Sequence, residues 1–108
     1  MLIYRLGAVM QINSDRLAEQ AGEAARLLKL LSNERRLLVL CKLAAANEMS
    51  VGALAEAVGL SQSALSQHLS LMRSEGLVRF RRDGQTLYYA IADASAERLL
   101  STLREIYC

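Results

Sequence analysis

Two kinds of chemistry are offered by the side chains of this sequence. The first is hydrogen bonding by small uncharged groups. Gln62, Ser63, Ser66, Gln67 and Ser70 crowd into one short stretch, where an ordinary solvated helix would carry Lys and Glu. Hydroxyls and amides of this kind can approach base edges in a major groove, and Gln can bind adenine with two hydrogen bonds. They also suit a plain polar helix surface. Arg79, Arg81 and Arg82 follow closely, with Asp83 the one acid among them. Clustered arginines suit phosphates or a minor groove. The second kind is thiol chemistry, at Cys41 and Cys108. Thiols serve as a redox pair, as metal ligands, or as small apolar core residues. The single His, His68, is read as an inward, core hydrogen-bonding residue. No Cys-x-x-Cys, acid pair or phosphate loop is present, so no enzyme is expected.

The elements around these residues are legible from caps and periodicity. Ser50 caps a short helix carrying Leu54, Ala55 and Val58, which Gly59 ends. Leu60 plugs the corner and Ser61 caps the next helix. There Leu65, His68, Leu69 and Met72 share one face, leaving the hydroxyls and amides on the other. The pattern is a helix-turn-helix whose second helix presents the base-reading candidates. Asn47 and Glu48 read as the loop leading into it. After Gly76 the sequence alternates, with Val78 and Phe80 on one side and Arg79 and Arg81 on the other. Asp83-Gly84 signals a hairpin turn, and Gln85–Ile91 returns as a second strand. This basic hairpin is a wing, which Phe80 and Tyr89 should anchor on the helical core.

Upstream, Asn13 or Ser14 is expected to cap a long helix with a seam of Leu17, Ala21, Ala24, Leu28 and Leu31. Asn33 caps a second, Glu34 to about Ala46, with Leu37, Leu40, Cys41 and Ala44 inward. Its first turn holds Arg35 and Arg36, which the helix dipole disfavours there. Asp93 caps the last helix, striped by Ala96, Leu99, Leu100, Leu103, Ile106 and Tyr107.

The 108 residues suffice for one domain, 53% of them hydrophobic, with no proline and a formal net charge of only +2. So apolar a small chain is expected to close part of its surface against a second copy, through the first and last helices. Residues 1–12 are read as a flexible N-terminal extension and 13–108 as the DNA-binding domain. The apolar start is short, broken by Arg5, and lacks a small-residue cleavage site, so it is not read as a signal peptide. No run approaches a membrane span. A cytoplasmic location is expected. The fold class is mainly α with a small β-hairpin, a winged helix-turn-helix in the order ααααββα, homodimeric.

From Leu17 onward the chain resembles the ArsR/SmtB repressors. The resemblance is carried by LSNERRLLVLCKL, by SVGALAEAVGLSQSALSQHLSLMRSEGLV and by RRDGQTLYYAI. It implies a homodimer that binds double-stranded operator DNA and lets go when an inducer arrives. Metal-sensing members carry Cys-x-Cys near LLVLCKL, or Asp, His and Glu ligands on the last helix. Here Cys41 stands alone in its helix and the last helix has no His. No metal or cofactor is expected, although two subunits could pool four thiols, so a thiolate metal sensor stays open.

The positions of Cys41 and Cys108 are similar to those of the BigR/SqrR/HlyU-like branch. That likeness implies a redox-sensing pair, linked by a disulfide or polysulfide bridge in response to reactive sulfur species or oxidants. In a reducing compartment such a bridge is a switch rather than a staple. Arg104, one turn before Cys108, would favour the thiolate. A winged-helix module for protein contact is the alternative from another class.

Overall fold

The computed structural model describes residues 2–107, with side chains from Arg16 to Tyr107. Cys108 therefore lies outside the described residues. The elements are α1 (Leu2–Leu31), α2 (Glu34–Ala46), β1 (Met49–Ser50), α3 (Val51–Val58), α4 (Gln62–Ser74), β2 (Val78–Asp83), β3 (Thr86–Ile91) and α5 (Ala94–Tyr107).

The chain divides after Leu30 into two units. The first is α1, which runs unbroken through residue 12. The helix does not begin at Asn13 or Ser14, as their cap-forming types suggested. Asn, Ser and Asp cost only about 0.7 kcal/mol or less each inside a helix, and the residues ahead of them contain no proline to stop it. On the seam expected in α1, Leu17 and Leu28 are exposed.

The second unit, from Leu31 on, holds the core. Four caps start its helices where the sequence places them. Oδ1 of Asn33 accepts from the Arg36 amide at 3.0 Å, and Oγ of Ser50 from Ala53 at 3.2 Å. Oγ of Ser61 accepts from Ala64 at 3.1 Å, and Oδ1 of Asp93 from Ala96 at 2.9 Å. Gly59 ends α3 at φ 69°, a conformation that a Cβ would disfavour. Its amide and that of Leu60 reach back to the carbonyls of Glu56 and Ala55, closing the helix with a Schellman motif.

Leu40, Leu54, Leu65, Met72 and Leu100 are fully buried, and α2 packs against α3, α5 and β3. Burial of each such side chain stabilises the fold by about 1.5–3 kcal/mol. The broad stripe expected on α5 resolves into two sides. Ala96 and Leu100 are buried, Leu103 is half-buried, and Leu99, Ile106 and Tyr107 remain exposed.

The wing is a three-stranded antiparallel sheet in the order β1-β3-β2, one strand more than the expected hairpin. Residues 49 and 50 pair with Tyr89 and Tyr88. Asp83 pairs with Thr86, so the two-residue loop is Gly84-Gln85, one position later than Asp83-Gly84. Gly84 has φ 63°, and the only described non-glycine with positive φ is Asn47. Glycine first and an ordinary residue second is the II′ pattern, which suits the right-handed twist of a hairpin.

Candidate nucleic-acid interface and thiol site

Helix α4 turns its apolar side inward through Leu65, Leu69 and Met72. The same helical period leaves Gln62, Ser63, Ser66, Gln67 and Ser70 exposed together on the other side. Ser63 shares a hydrogen bond with the capping Ser61 at 3.2 Å. The Gln62 amide lies 3.8 Å from where a side chain on Gly52 would begin, so it leans over the first turn of α3. The surface left for a groove is short, uncharged and rich in donors and acceptors. His68 is half-buried, but the hydrogen bond expected of its ring is not formed among the described residues.

The three arginines of the wing do not act as one cluster. Strand alternation sends Arg79 and Arg81 to one face and Arg82, with Phe80, to the other. Arg79 lines a cleft of about 170 Å³ with Leu43, Ala44 and Asn47 from the α2 end and Glu97 of α5. Arg81 is held. Its Nε and Nη2 donate to the two carboxylate oxygens of Glu48 at 2.9 and 2.8 Å, and its Cζ lies 4.5 Å over the Tyr88 ring. The bond from Arg81 holds the Glu48 carboxyl below the usual carboxylate range, with Arg79 adding a weaker pull. Glu48 in turn raises the Arg81 guanidinium.

On the opposite face Tyr89 is buried and carries the anchoring role. Its partner Phe80, 5.5 Å away between ring centroids, stays 37% exposed, less buried than expected. Its ring also carries Arg73, whose Cζ lies 4.8 Å from the centroid. Arg73 thus joins the end of α4 to the wing. Its place seven residues after Ser66 puts it on the exposed side of α4, a signal the helical period already carries. Glu48 lies in the loop before β1, and only the fold supplies its partner.

Cys41 is half-buried on α2, rather than sealed with Val39, Leu40 and Leu43. Helix α2 packs against α5, and α5 is described up to Tyr107, next in sequence to Cys108. Arg104 on α5 is exposed. Among the described residues no three His, Cys, Asp or Glu side chains gather in a way that could hold a metal. No helix among them is long and apolar enough to cross a membrane.

Comparison with known proteins agrees with this geometry. Residues 33–79 match the family model described as bacterial regulatory protein, arsR family. The transcriptional activator HlyU of Vibrio cholerae is 42% identical over 105 residues, covering 97% of this chain and 94% of that protein. Its reduced form has been solved and superposes with a TM-score of 0.81 at 42% identity, over 86% of this chain and 97% of that one. The biofilm growth-associated repressor of Xylella fastidiosa is 36% identical over 104 residues, covering 96% and 90%. The homodimeric winged helix-turn-helix DNA-binding domain of Mb0332 from Mycobacterium bovis gives a TM-score of 0.71 at 38% identity, over 85% and 84%. These relatives are transcriptional regulators, not enzymes. With its helix-turn-helix, its wing and relatives matching along nearly its whole length, this chain belongs to the arsR family of bacterial regulatory proteins and is a winged helix-turn-helix transcriptional regulator.

Proposed function

We propose that this regulator is a homodimeric, cytoplasmic repressor that leaves its operator when Cys41 and Cys108 become joined by a disulfide or polysulfide bridge. The reading rests chiefly on the half-burial of Cys41 on α2, the helix packed against α5, whose chain leads into Cys108. A thiol that is not sealed in the core can be reached by a small reagent. The existence of a reduced form of HlyU as a distinct structure supports redox sensitivity in a near relative.

The chemistry balances with a persulfide as inducer. One thiolate takes the outer sulfur of RSSH, giving Cys–SSH and RSH. The second thiolate attacks the inner sulfur, forming the S–S bond and expelling sulfide. The bridge would tie α2 to α5. The exposed Leu99, Ile106 and Tyr107 of α5, with Leu17 and Leu28 of α1, would form the dimer contact. That Mb0332 is homodimeric supports a dimer. A dimer spaces two α4 helices for successive major grooves about 34 Å apart. A change at its interface alters that spacing, which is how a distant thiol pair affects DNA binding. On the operator, Gln62, Ser63, Ser66, Gln67 and Ser70 would read bases, while Arg82 and Arg73 would meet phosphates. Arg79 and Arg81, on the other face of the wing, would be further phosphate contacts, Arg81 in competition with Glu48.

The test is release of operator DNA from the reduced protein on persulfide treatment, with each thiol replaced in turn. Cys41→Ser and Cys108→Ser should bind DNA yet fail to let go. The product should show a mass change within one chain and no covalent dimer on a non-reducing gel. Release by zinc, cadmium or arsenite, reversed by a chelator, would indicate a metal sensor instead. A double Cys→Ser variant that still responds to persulfide would overturn the dithiol reading.

A further inference from the structure

Glu48 precedes β1, and Arg81 sits in the middle of β2, at the other edge of the three-stranded sheet. Ser50, Tyr88 and Arg81 form one row across the three strands. Arg81 passes over Tyr88, its Cζ 4.5 Å from the ring centroid, and grips Glu48. The edge of the guanidinium so used, Nε with Nη2, is an edge with which arginine takes a phosphate in bidentate fashion. Both side chains stay open to solvent, 54% exposed for Arg81 and 35% for Glu48, so a DNA phosphate can reach the pair and compete for it.

We infer that Glu48 is a specificity-determining residue: its carboxylate occupies Arg81 in place of a DNA phosphate and so limits the sequence-independent grip of the wing. The inference rests on the DNA-binding reading above. Non-specific affinity comes from arginines and lysines that meet phosphates and release counterions. An arginine already neutralised by a carboxylate contributes little to that release. Binding then depends more on the uncharged face of α4, which alone reads bases. Phosphate contact by Arg81 requires exchange of one anion for another, with no net gain of charge pairs.

The experiment is a double-mutant cycle on the full-length reduced protein, with Glu48→Gln, Arg81→Met and both together. Binding to a random-sequence duplex and to a selected operator duplex is measured across salt concentrations. Glu48→Gln should tighten random-duplex binding and steepen the salt slope by about one per protomer, about threefold per protomer between 50 and 200 mM salt. The ratio of operator to random affinity should fall. In the Arg81→Met background the gain should vanish, because the freed guanidinium is its source. A gain that persists there would show plain charge removal and overturn the inference. Weaker binding by Glu48→Gln would also overturn it, showing that the pair merely braces the wing for contact. As an independent measure, the Arg81 Nε–H resonance should shift on adding DNA to Glu48→Gln and much less in the wild type, and an unmoved signal in Glu48→Gln would overturn the inference. Wild-type protein without affinity for any duplex at low salt would instead refute the DNA-binding reading itself.

Discussion

Replacing Gln67 by alanine separates base reading from general attraction to DNA. Gln67 is exposed on α4, and neither the core nor a cap depends on it. Alanine is at least as good a helix former, so folding stability should not fall. Any loss of affinity therefore belongs to the interface. A bidentate contact from Gln to adenine is worth about 1–3 kcal/mol of discrimination, which is about 5- to 150-fold for each half-site. A dimer engages two half-sites, so the operator should lose at least about 25-fold, while random duplex loses little. Arg82→Ala is the contrasting change. Arg82 shares the Phe80 side of the wing, away from Glu48, so it should weaken operator and random DNA alike. The salt slope should fall by about one per protomer. Fluorescence anisotropy with an operator selected from a random duplex pool, run at several salt concentrations, reads both effects. Equal loss on both DNAs from Gln67→Ala, or an unchanged slope from Arg82→Ala, would refute this division of labour.

Ile106→Glu should convert dimers to monomers in sedimentation without unfolding the chain, since Ile106 is 65% exposed and carries none of the core. A dimer that survives the charge would place the interface elsewhere. Ser61→Ala should remove the hydrogen bond to the Ala64 amide and cost about 1 kcal/mol, a fall in Tm of about 4–8 °C by calorimetry. An unchanged Tm would mean that water replaces the cap at no cost.

The helices from α2 onward were legible because their signals are local. Asn33, Ser50, Ser61 and Asp93 each cap the helix that begins beside them, through a bond spanning three residues. The wing was legible as alternation plus a glycine turn, though with the loop one residue early. Alternation says which residues share a face, while the register is decided only when Asp83 meets Thr86. Strand β1 was beyond reach, because two residues show no period and become a strand only where β3 offers its second edge. The apparent start of α1 at Asn13 or Ser14 misled because capping residues are also tolerated within a helix.

By itself the sequence determined the helix-turn-helix, the uncharged face of α4 and the presence of two thiols, since residue type and helical period settle those within a few turns of chain. Tertiary structure alone decided how the wing's charges are shared. Arg79, Arg81 and Arg82 read as one basic cluster, yet Arg81 closes on Glu48, 33 residues earlier. Arg73 reaches across to Phe80. Charge is a property of the residue, but its availability depends on what the fold brings within about 3 Å, and no local pattern records a neighbour that far away along the chain.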